Sequence, residues 1–331
     1  MSLNSIRQLA AQKIIVIVGP TASGKSDLGI KLAKKYSGEI ISADSRQVYR
    51  GMDIGTGKVK KDSSKYKVAG IKGKKKKSEY YSEGIRHHLI DVINPKKQFT
   101  ADDFKKLGEK AIKEITAKSK IPIIVGGTGF YVDVLLGRMA VAEVPPNNKL
   151  RAKLEKQSAE QLFKQLQKLD PKRARNIDKH NKRRLIRALE IVLNTKKSFL
   201  TTNYLLPTTN YKVLWIGLRP KNLQKRIKKR LDARLKTEMI KEVKNLHKKE
   251  VSWERLDDFG LEYRWISRYL QKVESRKLKV ERFKNSEYYT ELLRDIIHYS
   301  KRQMTWFKKN KKIIWIKNER EAAKLVKHFV L

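Results

Sequence analysis

The 331-residue chain carries 78 lysine and arginine residues against 34 aspartate and glutamate residues, which gives a formal net charge of +44. No apolar run approaches the roughly 20 residues of a membrane-spanning helix, and the lack of cysteine excludes disulfides, thiolate metal sites and cysteine nucleophiles. So large a positive charge favours a polyanionic partner; nucleic acid fits best, and an anionic membrane surface is the second possibility. We therefore expect a cytoplasmic protein that makes no membrane contact.

Short apolar runs recur along the chain and alternate with segments of helical periodicity, such as 25–36 and 103–117. Such runs are typical of parallel strands that are covered on both faces. They lie at residues 13–19, 39–44, 121–127, 212–218 and 312–316. The alternation predicts a doubly wound, mostly parallel α/β core.

Two segments interrupt this alternation. Residues 60–84 are rich in lysine and glycine and lack periodicity, which predicts a mobile surface insertion. Between residues 145 and 210 there are sixteen lysines and arginines, five aspartates and glutamates, and no strand signal. Runs at 148–168 and 181–194 have helical periodicity, so this segment is predicted to form a basic helical subdomain.

The domain organisation follows from these two observations. We predict an α/β core that is formed by residues 1–137 and 209–331. The inserted helical subdomain takes residues 138–208, and its charge makes it the candidate nucleic-acid-binding part.

The strongest motif is Gly19-Pro20-Thr21-Ala22-Ser23-Gly24-Lys25-Ser26, which matches G-x-x-x-x-G-K-[ST] between a predicted strand and a predicted helix. In that setting backbone amides form an anion-binding nest at a helix N-terminus. Lys25 is placed to neutralise phosphate charge, and the Ser26 hydroxyl to bind Mg²⁺. The motif predicts a di- or polyphosphate site without specifying the compound.

A carboxylate is expected near this motif. The strand at 39–44 ends in Asp44, whereas the strand at 121–127 ends without an acid. The carboxyl ends of such strands border the binding crevice of a doubly wound sheet. Asp44 can therefore bind magnesium or accept a proton, and the spacing leaves both roles open.

Several long blocks of the sequence, in this order, resemble one known family, the bacterial tRNA dimethylallyltransferases. The blocks are GPTASGKS (19–26), ISADSRQVYRGMDIGTGK (41–58), HHLIDV (87–92), IPIIVGGTGFYV (121–132), RRLIRALEI (183–191), QKRIKKRL (224–231) and KRQMTWF (301–307). The resemblance implies transfer of the dimethylallyl group of dimethylallyl diphosphate to the exocyclic amine of the adenosine 3′-adjacent to the tRNA anticodon (position 37), with release of diphosphate.

The resemblance also implies roles for individual residues. The loop from Gly19 to Ser26 would hold the prenyl diphosphate rather than ATP, with Mg²⁺ as cofactor and Ser26 near the metal. Asp44 matches the general base that takes the amine proton. Arg230 matches an arginine that, with Lys25 and Mg²⁺, stabilises the leaving diphosphate, and Thr21 matches a loop hydroxyl near the diphosphate and metal.

Further positions match tRNA contacts of the family. They are Asp44, Ser45, Arg46, Gln47, Thr128, Arg151, Arg183, Arg184, Leu185, Ile186 and Arg187. The chain departs from the family at Glu262, since a glycine usually precedes Tyr263 and Arg264 there. We expect a monomer that binds the tRNA anticodon stem-loop, and the sequence leaves the identity of the substrate tRNAs open.

Two alternatives belong to different functional classes. One is an adenylate isopentenyltransferase acting on free AMP, which would have no use for the basic insertion. The other is a nucleotide-gated RNA-binding protein without prenyl transfer, against which Asp44 beside an intact phosphate motif argues.

Overall fold

A seven-stranded sheet runs through the computed structural model, which describes residues 11–62, 79–142, 144–195, 211–276 and 280–331. The strands are β1 (Gln12–Val18), β2 (Gly38–Ala43), β3 (Tyr80–Ser82), β4 (Ile85–His88), β5 (Ile121–Gly126), β6 (Tyr211–Leu218) and β7 (Ile314–Ile316). Their order is β3-β4-β2-β5-β1-β6-β7, and all neighbours are parallel except β3 and β4. The predicted mostly parallel sheet is confirmed.

The helices complete the list of elements. In chain order they are α1 (Lys25–Lys35), α2 (Ala101–Ala117), α3 (Gly129–Leu135), α4 (Asn148–Glu155), α5 (Ala159–Leu169), α6 (Pro171–Ala174), α7 (Lys182–Thr195), α8 (Leu223–Lys236), α9 (Met239–Lys248), α10 (Trp253–Phe259), α11 (Leu261–Arg276), α12 (Glu287–Lys308) and α13 (Glu319–Val330). A 3₁₀ turn spans Val280–Asn285.

Alternate residues of the central strand β1 face opposite sides of the sheet, as the period of two requires. Ile14 and Val16 pack against α2 and α3, while Ile15 and Ile17 pack against α1 and α13. All four are fully buried. Helices thus cover both faces, which is the doubly wound arrangement.

The edge of the sheet differs from the sequence-based expectation. All five predicted strands are present, but β3 and β4 were missed because they are short and rich in polar and aromatic residues. The expectation of an insertion without regular structure at 60–84 is wrong for the C-terminal end of that segment, where β3 pairs with β4. The lysine cluster at 74–77 lies outside the described residues.

The described residues fall into two compact units. The core unit lies within residues 1–136 and 210–331, and the inserted unit within 137–209. In the core unit, helices α8 to α12 share a second hydrophobic cluster with the segment Val48–Met52. Hydrogen bonds from Arg230 to Thr21 and from Gln303 to Gly127 place α8 beside the loop after β1 and α12 beside the carboxyl end of β5.

The inserted unit has its own small core. Leu154, Leu162, Leu166, Leu185 and Leu189 are buried there. The single helix expected at 148–168 is wrong, because Ser158 and Gln161 form a capping box that begins a new helix, α5. None of the helices in the described part of the chain is both long and apolar enough to span a membrane.

Candidate active site

The phosphate loop, residues 19–26, joins β1 to α1. A Cβ on Gly19 would lie 2.7 Å from the backbone oxygen of Leu218 on the adjacent strand, and Gly24 has a φ of +90°, so both positions require glycine. The Ser23 hydroxyl is buried and has no hydrogen-bond partner among the described residues. The loop thus packs closely on the sheet and presents the N-terminus of α1, where an anion is stabilised.

A stripe of arginines on α8 faces this loop. Arg226, Arg230 and Arg234 are four residues apart and therefore lie on one face of the helix. Arg226 Nε donates to the carbonyl of Ala22 at 2.9 Å, and an Arg230 Nη donates to the Thr21 hydroxyl. The stripe brings two cations to the loop from about 200 residues downstream in the chain.

Asp44 follows β2 directly, at the carboxyl edge of the sheet. Its Oδ1 accepts hydrogen bonds from the backbone N–H groups of Arg46 at 2.8 Å and Gln47 at 3.3 Å. Within the described part of the chain, Oδ2 makes no hydrogen bond. The turn thus fixes one carboxylate oxygen and leaves the other available to a ligand.

The neighbours of Asp44 are tied to other elements of the core unit. Thr128 Oγ1 accepts from the Ser45 N–H at 3.2 Å, which joins the ends of β2 and β5. Arg46 Nε donates to the carbonyl of Phe259 at 2.6 Å. Gln47 accepts from the Ser42 hydroxyl at 2.8 Å. The side chains of Arg46 and Gln47 are therefore engaged within the protein.

Several of the residues described above line one open cavity of about 470 Å³. Its lining includes Thr21, Asp44, Ser45, Arg46 and Arg230. Tyr299 of α12 lines it as well, and burial raises the pKa of this phenol to about 12, so it remains protonated at neutral pH. The fold thus gathers Thr21, Asp44, Ser45, Arg46 and Arg230 in one place.

The electrostatics of the cavity favour an anion. Burial, together with the nearby Arg230 guanidinium, lowers the pKa of Lys25 to about 8. Burial, with Arg234, likewise lowers the pKa of Arg230 to about 10. Clustered cations that lack enough counter-charge lower one another's pKa in this way. A bound phosphate group would relieve this repulsion.

Gln303 is a residue of the site that the sequence analysis did not single out, although it lies in the block KRQMTWF. Its Oε1 accepts from the Thr21 N–H at 2.8 Å, and its Nε2 donates to the carbonyl of Gly127 at 2.9 Å. The buried amide of Gln303 therefore joins the phosphate loop to the end of β5.

We expect Gln303→Leu to raise the KM for the phosphate-bearing substrate by about tenfold, because the Thr21 N–H loses a buried acceptor and the loop loses its fixed geometry. Steady-state kinetics would measure this. Gln271→Leu is the control, since in the part of the chain that the structure describes the Gln271 amide donates only to the backbone carbonyl of Ser267 in its own helix. An unchanged KM for Gln303→Leu would contradict the positioning role.

The remaining predicted RNA-contacting residues lie in the inserted unit. Arg151 pairs with the buried Glu190 through two hydrogen bonds of 2.8 and 2.7 Å, and Arg187 bonds both Glu190 and the carbonyl of Val144. Arg183 and Arg184 are exposed.

Two of the predicted contacts need correction. The side chains of Leu185 and Ile186 are 0% and 5% exposed and pack in the core of the inserted unit, so they are not available to RNA. They occupy the apolar face of an amphipathic helix whose basic face carries Arg183 and Arg184.

Fold and site together define a phosphate-loop α/β protein with a cation-lined cavity and a carboxylate at its edge. The family model described as IPP transferase matches residues 47–310, and that described as isopentenyl transferase matches residues 12–68. The chain is 36% identical to tRNA dimethylallyltransferase 1 of Syntrophus aciditrophicus, over 93% of this chain and 94% of that protein.

Solved structures agree with these matches. A tRNA isopentenylpyrophosphate transferase of Staphylococcus epidermidis is 34% identical, with a TM-score of 0.62 over 96% of this chain and 99% of that one. A eukaryotic dimethylallyltransferase acting on tRNA is 27% identical, with a TM-score of 0.69 over 89% of this chain and 69% of that one. The chain belongs to the tRNA dimethylallyltransferase (IPP transferase) family.

Proposed function

We propose that this protein transfers the dimethylallyl group of dimethylallyl diphosphate to the exocyclic amine of adenosine 37 of tRNA. The amine nitrogen forms a bond to the allylic C1 carbon while the bond from C1 to the diphosphate oxygen breaks. The bonding electron pair leaves with the diphosphate, and the amine proton passes to Asp44. Family membership supports this reaction for the chain as a whole.

One observation carries the proposal: the free carboxylate oxygen of Asp44 and the Thr21–Arg230 pair line the same cavity. A proton acceptor and a diphosphate site must flank the reacting carbon from two sides, and this cavity provides both. Since the adenine amine is a weak nucleophile, a positioned base contributes typically 10²–10⁴-fold to the rate.

The second contribution is stabilisation of the leaving group. Negative charge grows on the bridging oxygen as the allylic bond breaks, so cations held beside it act most strongly in the transition state. Lys25 and Arg230 supply this charge, and the Thr21 hydroxyl, which Arg230 holds, lies beside it. The partly desolvated setting that lowers the pKa of both cations also strengthens their interaction with the diphosphate.

The residues present fit Mg²⁺ as cofactor. No three histidine, aspartate or glutamate side chains of the described residues gather into a metal cage, but Mg²⁺ bound to phosphates takes only one or two protein ligands and keeps several waters. The Ser26 hydroxyl at the start of α1 would hold it together with diphosphate oxygens. Bound Mg²⁺ supplies further neutralisation of the diphosphate.

The inserted unit binds the anticodon stem-loop through its basic surface, and adenosine 37 leaves its stack to enter the cavity, as base-modifying chemistry requires. Ser45 lines the cavity and donates its N–H to Thr128 Oγ1, which suits contacts of these two residues to the extruded base. A tRNA substrate also implies a cytoplasmic protein. Residues of a single chain line the cavity, so we propose a monomer.

We expect the double variant Arg183→Gln, Arg184→Gln to weaken tRNA binding equally for all anticodon-loop sequences. The salt dependence of binding should flatten by roughly 0.7–0.9 in log–log slope per lost phosphate contact. Filter binding at several salt concentrations measures both effects. Arg187 is left unchanged, because its guanidinium bonds the buried Glu190.

The exposed Lys327 of α13 in the core unit provides a matched control through Lys327→Gln. If this change reduces tRNA affinity and the salt slope as much as the double variant does, the effect reflects net charge, and the assigned RNA surface is wrong.

Labelled dimethylallyl diphosphate, incubated with the protein and either unmodified tRNA or AMP, tests the proposed function. Label should enter tRNA alone. Label in AMP alone would identify an adenylate isopentenyltransferase, and label in neither, with RNA still bound, would identify a binding protein.

A further inference from the structure

A second carboxylate lies in the wall of the same cavity and has no part in the steps above. Glu262, near the start of α11, is only 8% exposed and lines the cavity. Its Oε1 lies 3.1 Å from an Nη atom of Arg234.

Arg234, the partner of Glu262, belongs to the arginine stripe of α8. It follows Arg230 by one helical turn, so the two side chains start about 5–6 Å apart on one face. The same Nη atom of Arg234 donates to the carbonyl of Gly55 at 3.1 Å, and a Cβ on Gly57 would collide with the guanidinium. Arg234 is therefore held against the segment 55–57.

The positive charge of Arg234 nevertheless acts electrostatically on the cations of the diphosphate site. It contributes to lowering the pKa of both Lys25 and Arg230. Burial raises the pKa of Glu262, and the Arg234 guanidinium opposes that rise. Glu262 and Arg234 form a buried ion pair, one helical turn from the catalytic arginine, Arg230.

We propose that Glu262 is a positioning residue that holds Arg234 on the cavity wall, so that Arg230 and Lys25 alone receive the diphosphate. This inference rests on the proposed function. A third cation bound to the diphosphate would contact it equally in substrate and product. Such uniform binding does not lower the barrier, and it retains the product, whose release often limits turnover.

The test is titration calorimetry with inorganic diphosphate and Mg²⁺. Glu262→Gln keeps the shape of the side chain and removes the charge that restrains Arg234. We expect its Kd for diphosphate to fall about tenfold, the equivalent of one charge-assisted hydrogen bond, and diphosphate to inhibit turnover more strongly. Damage to the fold would weaken binding, which is the opposite direction.

Arg234→Gln completes the experiment. If Arg234 makes no contact with the diphosphate in the unchanged protein, the Kd of this variant for diphosphate should lie within threefold of that of the unchanged protein. In the double variant Glu262→Gln, Arg234→Gln, the gain in affinity should disappear. Equal or weaker binding by Glu262→Gln, or a gain that persists without Arg234, overturns the inference.

A tenfold loss of diphosphate affinity in Arg234→Gln also overturns it, and this result is accessible even if Glu262→Gln does not fold. Transfer of the prenyl group to tRNA by the unchanged protein is measured in parallel. Failure of that reaction counts against the proposed function, whereas the diphosphate affinities decide the role of Glu262.

Discussion

Replacing Asp44 with asparagine is expected to lower prenyl-transfer turnover by roughly 10²–10⁴-fold and to leave tRNA and diphosphate binding close to unchanged. Asparagine keeps the oxygen that accepts from the N–H groups of Arg46 and Gln47, so the turn survives. It cannot take the amine proton. Single-turnover assays under saturating substrates measure the loss.

Asp295→Asn is the matched control for Asp44→Asn. Asp295 also lines the cavity, but its carboxylate accepts a 2.8 Å hydrogen bond from the indole of Trp265. Its replacement should cost less than tenfold in rate, because this carboxylate takes no proton. Near-native turnover of Asp44→Asn, or an equal loss in both variants, would show that Asp44 is not the base.

Arg230→Gln is expected to lower turnover by roughly 10²–10³-fold, the usual effect of removing one preorganised group that stabilises developing charge. The loss should appear in kcat more than in KM, because the charge on the leaving oxygen grows in the transition state. Steady-state kinetics separates the two parameters.

Arg226→Gln provides the comparison on the same helix face. Among the described residues, Arg226 donates a side-chain hydrogen bond only to the backbone carbonyl of Ala22, so its loss should lower turnover less than tenfold. An Arg230→Gln variant that changes KM alone would mean that Arg230 binds substrate and transition state equally, and would remove it from the catalytic step.

The sequence predicted the fold best where strands are buried on both faces. The strands β1, β2, β5 and β6 can be recognised in the sequence as apolar runs, because parallel strands covered by helices need apolar residues throughout. The strands β3 and β4 lack that signal, because they are short and rich in polar and aromatic residues. The break after Glu155 depends on the local capping chemistry of Ser158, which periodicity alone does not detect.

The site was predicted in part for a related reason. The phosphate loop and Asp44 are local signals, in which each residue stands next to the strand that positions it. The bonds of Gln303 to Thr21 and of Glu262 to Arg234 join residues that are 282 and 28 positions apart. Such contacts arise from the packing of α8, α11 and α12, and no spacing rule reveals them.

The same limit applies in the inserted unit. The basic residues of α7 look equivalent in the sequence, yet Arg187 is tied to the buried Glu190 while Arg184 is exposed. The position of Glu190 on the buried side of α7, within reach of Arg151, distinguishes them.

The most direct test of the central claim is mass spectrometry of nucleosides from unmodified tRNA that has been incubated with the protein, dimethylallyl diphosphate and Mg²⁺. We expect N6-dimethylallyladenosine at position 37, and its near-absence with Asp44→Asn. Unmodified tRNA accompanied by ATP hydrolysis, or a dimethylallyl group on free AMP alone, would contradict it.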